Sequence, residues 1–312
     1  MVPRQKLIAI HNASLLLAVI SITLLWASVA EAGTITQTTC PIEIIHSGVY
    51  SLANDVTCAA STEDGIDILA SGVTLFLNGH TITGAGAGPG APCSTGTGIN
   101  VGSSAPGFPK VSGVGILGRG TVSNFFVGVG AQNSADSFAA FVTVTAPQCN
   151  PSGSPTSVGF VVQAPGGGWN LSGNVVQEPG INSFGIVLAA NGNALVGNNV
   201  IDSIALFGSS NNTIVANTAN ENFGGIILYA GSNNNQIYAN TTKKNNSVGC
   251  GPITASTYPC SGLWMMSGAT GNNITGNWSF DNVPFDMQDD NKCGSNKWKG
   301  NHFGTANESC IH

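Results

Sequence analysis

The chain has 312 residues, only 8% of them charged against 42% apolar, and it carries 42 glycines. It is too apolar to be disordered and far poorer in charge than an ordinary globular domain, where roughly a quarter of residues are charged. Nine Lys and Arg stand against fifteen Asp and Glu, a net charge of −6. That balance argues against nucleic acid as a partner, which calls for a basic patch, and against a polybasic membrane tether.

In chain order, Arg4 and Lys6 precede a nearly unbroken apolar run from Ser14 to Ala30, and Ala30-Glu31-Ala32 has the small-x-small pattern that signal peptidase reads. Residues 1–32 are expected to be a signal peptide, with Ser28-Val29-Ala30 an alternative cut. A seventeen-residue run lies at the short edge of a membrane span. Loss of Arg4, Lys6 and Glu31 leaves seven basic and fourteen acidic residues, a net of −7. The remainder is expected to be monomeric, free of the membrane, and secreted, extracellular or periplasmic.

All eight cysteines lie beyond the apolar run: Cys40, Cys58, Cys93, Cys149, Cys250, Cys260, Cys293 and Cys310. An even count behind a signal peptide reads as a disulfide framework. Pairing by proximity gives Cys40–Cys58, Cys93–Cys149, Cys250–Cys260 and Cys293–Cys310, one of many connectivities the count allows. No C-x-x-C pair or Cys/His cluster suggests a metal.

The body, residues 33–312, reads as one domain: an N-terminal cap at 33–64, coils at 65–283 and a C-terminal cap at 284–312. Val73-Thr-Leu-Phe-Leu77 alternates, turns at Asn78-Gly79 and resumes at Thr81. Val111 to Val122 forms another coil, and Gly159-Phe-Val-Val162 starts the next. Beyond Trp169 a phrase recurs, Asn-x-(apolar)-x-(Gly/Ala)-Asn, closing at Asn174, Asn198, Asn217, Asn240, Asn277 and Asn301. The intervals are 24, 19, 23, 37 and 24 residues, and the longest holds Cys250 and Cys260. A short apolar strand, usually opened by Gly, follows each copy, as at Gly185-Ile-Val-Leu188 and Gly225-Ile-Ile-Leu228.

No stretch keeps a 3.6-residue apolar stripe, so helical repeats are excluded. A period near 20 with short strands makes one coil of a solenoid, each strand stacking on its equivalent about 4.8 Å away. The closing asparagines are expected at left-handed turn positions, which Asn tolerates, with their side chains stacked in an amide ladder. The fold expected is all-β: a single-stranded right-handed parallel β-helix with disulfide-stapled ends and loops.

The Asn phrases, Gly72-Val-Thr-Leu-Phe-Leu-Asn-Gly-His-Thr-Ile-Thr-Gly84 and the closing stretch Asn291 to Thr305 resemble the secreted right-handed parallel β-helix repeat proteins. This is the broad pectate-lyase-like group, which includes carbohydrate-binding and sugar-hydrolase solenoids. The resemblance runs from about Val49 to the C-terminus. It implies a polysaccharide partner and, in the lyases of the group, clustered carboxylates for calcium with a basic residue as proton acceptor. Its motifs are packing and turn residues, so activity follows only by analogy.

Four residues after the closing asparagines come Glu178, Asp202, Glu221, Lys244 and Asp281. In register they would form a stripe of carboxylates able to raise one another's pKa and act as acid and base; the plainer reading is a solvated turn. Asp281, Asp286, Asp289 and Asp290, near Lys292, could hold calcium, the only cofactor the sequence suggests. Tyr238 and Trp278 are expected to be exposed and able to stack on sugars, whereas aromatics on strand phrases face the core. His80 and Arg119 lie in turns of the solenoid. The function expected is binding of an extracellular or cell-wall polysaccharide. The alternatives are a lyase, hydrolase or epimerase using the acidic stripe, and an adhesive or structural surface protein.

Overall fold

The computed structural model describes residues 32–85, 94–103, 105, 107–145, 157–177, 183–221, 224–245 and 261–312. The predicted signal peptide, Glu178, Cys93, Cys149, Cys250 and Cys260 lie outside them or at their margin. No helix occurs among the described residues.

Every strand pair is parallel, and the strands assemble three long sheets. Sheet A has eleven strands, from Ala32–Ile35 to Lys297–Lys299. Sheet B has ten, from Val56–Thr57 to His302–Phe303. Sheet C has twelve, its main path running from Ile42–Ile44 to Met287–Asp289. The chain visits A, B and C in turn. One coil is Ala194–Val196 in A, Asn199–Ile201 in B and Ile204–Leu206 in C; Thr213–Val215 then re-enters A. Two residues, Gly197 and Asn198, turn the chain from A to B; Asp202 and Ser203 turn it from B to C.

The alternation seen in the sequence becomes inside and outside. Leu195, Ile214, Ile237 and Ile274 stack in register along sheet A and are fully buried. Leu206, Leu228 and Met265 do the same along sheet C. No coil can bury such residues alone, so each rung is stabilised by its neighbours. In sheet C the outward column is buried too: Val187, Ala205, Ile227 and Trp264 are all under one-tenth exposed.

The glycines that open the sheet C strands have a steric cause. A Cβ at Gly185 would sit 2.1 Å from Val200 Cγ1; at Gly128, 2.2 Å from Val144 Cγ1; at Gly98, 2.1 Å from Val122 Cγ1. The chain crosses so close to the sheet B column that only hydrogen fits. Ser203 takes this position in one coil, where the matching sheet B residue is the smaller Ala219.

The asparagine ladder is present. Asn174 Nδ2 donates to Asn198 Oδ1, Asn198 to Asn217, Asn217 to Asn240, Asn240 to Asn277 and Asn277 to Asn301, at 2.9–3.1 Å. Each acceptor oxygen also takes the backbone N–H of the preceding asparagine, as Asn198 N–H to Asn217 Oδ1 at 2.9 Å. The expected reason for Asn is corrected: the left-handed residue is the one before it, with φ of 61–64° at Gly173, Gly197, Gly276 and Gly300 and 55° at Ala216 and Ala239. Asn is there for its amide. The opening asparagines, given no role by sequence reasoning, form a second column, Asn193–Asn212–Asn235–Asn272–Asn296. Asn245 and Asn282 begin a third.

Both ends expected to be caps are themselves coiled. Ile42, Val49 and Val56 pair with Ile66, Thr74 and Ile82 in the three sheets. Cys40–Cys58 and Cys293–Cys310 close the terminal loops as expected. His80 is held by Asp55, whose Oδ1 lies 3.1 Å from Nδ1 and accepts the Thr81 N–H at 2.9 Å.

Candidate functional site

The expected stripe exists in register: the pairings Ile201–Asn220, Asn220–Lys243 and Lys243–Phe280 align Asp202, Glu221, Lys244 and Asp281 on successive coils. All four have positive φ, and Glu221, Lys244 and Asp281 stand at exposed turn positions whereas Asp202 does not. Lys244 interrupts the carboxylates and lies 3.9 Å from Glu221; Lys243 lies 3.9 Å from Asp281. Asp202 is fully buried, and its Oδ1 accepts the Ser203 N–H. Glu221 and Asp281 are exposed and two coils apart, about 9.6 Å at the usual strand spacing. Among the described residues, no two exposed carboxylates of this stripe share a rung or occupy neighbouring rungs.

Asp286, Asp289 and Asp290 have other work. Asp286 accepts from Asn282 N–H and Nδ2 and from the backbone N–H groups of Gly304 and Thr305. Asp289 accepts from Asn291, from Asn296 Nδ2 and from Trp298 Nε1. Asp290 accepts from Trp264 Nε1 at 2.6 Å and Gln288 Nε2 at 2.8 Å. The lone pairs a calcium ion would need are directed at protein donors. Two of the carboxylates terminate asparagine columns: Asn296 ends on Asp289 and Asn282 on Asp286.

Tyr238 and Trp278 are 37% and 53% exposed. Both flank the two-residue turn from sheet A to sheet B. Along the A side, Tyr238, Thr275 and Lys299 occupy one position on three successive coils. Along the B side, Thr241, Trp278 and His302 do so. The Trp278 ring lies 4.5 Å from the His302 ring, centroid to centroid. Lys297 and Lys299 are exposed and form no ion pair among the described residues. Five of the seven cations beyond residue 32 lie between Lys243 and Lys299. Lys243 and Lys244 are paired with Asp281 and Glu221, so the positive charge at this corner that has no ion-pair partner among the described residues is that of Lys297 and Lys299. Of the remaining aromatics, Trp169 is in the core, while Phe207 stacks on Tyr229 at 4.1 Å with Phe207 37% exposed.

Sequence reasoning missed a second group, on the outward face of sheet C in the first coils. Glu43, Asp67 and Asn100 occupy one register position on successive strands. Asn100 Nδ2 donates to Asp67 Oδ1 at 3.1 Å, and Asp64 Oδ1 accepts the Thr97 N–H. Burial pushes the Asp67 carboxyl up to about 6; the Asn100 amide opposes the rise, and the charges of Asp64 and Glu43 add to it. Glu43 and Asp67 are 24 residues apart, and the Asn phrase does not extend to these coils, so no sequence register linked them.

With three parallel sheets wound coil upon coil, the protein is a right-handed parallel β-helix of the kind its sequence resembles. Among solved structures it is similar to the enzymatically active domain of bacteriophage CBA120 tailspike protein 2, at 14% identity and a TM-score of 0.52, over 79% of this chain and 38% of that one. The Dettilon tailspike protein matches at 15% identity and a TM-score of 0.42, over 90% and 60% of the two chains. The A-module of an Azotobacter vinelandii mannuronan C-5 epimerase matches at 15% and 0.38, over 82% and 86%. At these identities the likeness concerns the fold. The chain matches no protein-family model and no curated protein.

Proposed function

We propose that the protein is a secreted, polysaccharide-binding β-helix whose ligand lies across the A–B corner of the last coils. The observation that supports this is the exposed Trp278 ring beside His302, flanked by Tyr238 and Lys299. A pyranose ring presents a face of C–H groups that lies flat on an aromatic side chain, while a polar rim fixes its orientation. Unpaired lysines at the rim favour a ligand bearing carboxylates or sulfates. The two disulfides suit an oxidising compartment.

The test is retention of the purified chain on immobilised acidic and neutral polysaccharides across a salt series. Trp278→Ala is expected to cost about 2 kcal/mol, roughly thirtyfold in Kd. Lys299→Ala is expected to flatten the salt dependence. Unchanged retention of Trp278→Ala would refute the site.

A second reading is polysaccharide cleavage or epimerisation, favoured by one observation. Asp67, with its carboxyl near 6, is suited to proton transfer near neutral pH beside Asp64 and Glu43. Release of new reducing or unsaturated ends, lost in Asp67→Asn, would establish it.

A further inference from the structure

The ladder carries a consequence for covalent modification. Attachment of an N-linked glycan requires Asn-x-Ser/Thr and places a bulky sugar on the Asn Nδ2. Several described asparagines satisfy the rule. Asn170 and Asn211 are exposed, and Asn273 and Asn307 are half-buried. Asn240, Asn245 and Asn277 are fully buried ladder residues.

The pattern follows from the geometry of the coil. Two residues beyond a ladder Asn comes the inward position of sheet B. Where that residue is Val or Ala, as at Val176, Val200 and Ala219, no sequon results. In two coils it is hydroxylic: Thr242 and Ser279 are fully buried and hydrogen-bonded to each other at 2.7 Å. Opposite them pass Gly225 and Gly262, where a Cβ would lie 2.6 Å from Thr242 Cγ2 and 2.1 Å from Ser279 Oγ. These two hydroxyl residues fill the core and at the same time complete the sequons at Asn240 and Asn277.

Both hydrogens of each amide are in use. Asn240 Nδ2 donates to Ile214 O at 2.9 Å and Asn277 Oδ1 at 3.0 Å. Asn277 Nδ2 donates to Ile237 O at 2.9 Å and Asn301 Oδ1 at 3.0 Å. Asn245 Nδ2 donates to Ala219 O at 3.3 Å and Asn282 Oδ1 at 2.8 Å. A glycosidic N–C bond would replace one of those hydrogens and push a sugar between coils about 4.8 Å apart. Burial gives no protection, because oligosaccharide transfer acts on the chain before it folds.

We infer that the fold and N-glycosylation at Asn240, Asn245 or Asn277 are mutually exclusive. The protein matures only by a route that leaves these sequons unmodified, an inference that rests on the reading that the chain is exported.

The test sends the chain from Ala32, where the described fold begins, through a eukaryotic secretory pathway behind the host's own signal. Glycans are mapped site by site on the secreted, protease-resistant fraction and on the retained fraction. The expected result is loss of secretion, with ladder-site glycans confined to retained chains and surface-site glycans allowed on secreted ones. Inhibition of the transferase should restore secretion. So should Thr242→Val/Ser247→Ala/Ser279→Ala, whose folding is checked independently by production in a bacterial periplasm. A protease-resistant chain glycosylated at Asn240 or Asn277 overturns the inference. Full secretion of the unaltered chain with all three ladder sites empty supports it, because only unmodified chains would then have reached the folded state. Failure of the native leader to deliver the chain to a bacterial periplasm would count against the export reading alone and leave the glycan map decisive.

Discussion

Gly185→Ala tests the steric logic of the coil where sheet C passes the sheet B column. The new Cβ would stand 2.1 Å from Val200 Cγ1, whereas carbon atoms in contact prefer about 3.5–4.0 Å. Roughly 1.4 Å must be found in an interior packed like an organic crystal. The backbone at Gly185 is not left-handed, so the whole effect is overpacking, expected at about 3 kcal/mol, the upper end for an added methyl group. Val200→Ala removes the offending methyls and leaves a void, itself costing about 2 kcal/mol. In Gly185→Ala/Val200→Ala the added methyl occupies that void. The double variant should therefore be less destabilised than the sum of the singles, with a coupling of about 1–3 kcal/mol. Urea unfolding of the four chains, with amide exchange on the Ile186–Leu188 strand, reads the cycle. Additive losses would mean that the Gly column reflects backbone requirements and not this contact.

Asn217→Ala should destabilise by about 3 kcal/mol or more, because it strips the acceptor from Asn198 N–H and Nδ2 and the donor from Leu195 O; amide exchange should rise at Asn198 and little at the distant Ile66 strand. Asp67 retains a proton in the fold up to about pH 6 that the unfolded chain releases near 3.8. Its contribution is therefore complete below the unfolded value and lost as pH rises through 6; Asp67→Asn should flatten stability between pH 4 and 7, and an unchanged profile would refute the raised carboxyl. Cys293→Ser/Cys310→Ser opens a loop of 17-residue separation, expected to cost about 3 kcal/mol, and limited proteolysis should then cut first after residue 290.

The architecture was legible because it repeats. Five or six copies of one phrase fix the coil length, and four-residue apolar strands leave no room for helices. The two described disulfides pair by proximity because each closes one terminal loop. What sequence reasoning could not supply was the direction of side chains at the turns. Asn198 and Gly197 are neighbours in a two-residue turn, and only the backbone shows that the glycine takes the left-handed step while the amide turns inward. Asn193 stands in the same phrase as Asn198, yet nothing in a linear pattern shows that it too stacks. Asp286 and Asp289 read as an acidic cluster because their donors, Asn282, Asn296, Trp298 and the Gly304 backbone, approach from other coils or across a turn. Asp67 was hidden for a related reason: its neighbours Glu43 and Asn100 lie one coil away, in coils whose phrase is worn.

The amide columns all run one way. In each of the two long columns the Nδ2 of an earlier coil donates to the Oδ1 of a later one, so every asparagine shows its oxygen upstream and one of its hydrogens downstream, the other being held by an oxygen of its own or the preceding coil. The side-chain dipoles therefore add along the solenoid, and the downstream pole is answered by the Asp289 carboxylate in one column and by the His312 carbonyl oxygen, 3.2 Å from Asn301 Nδ2, in the other. Such a structure has a grammar for changing length. A coil duplicated within the array finds a donor above and an acceptor below whatever its loop length, as the spans of 19 and 37 residues already show. A coil appended beyond Asp289 finds the last donors already engaged. Growth and loss of coils in this scaffold are thus easiest in its interior, with Asp289 the full stop of one long column and the His312 oxygen that of the other.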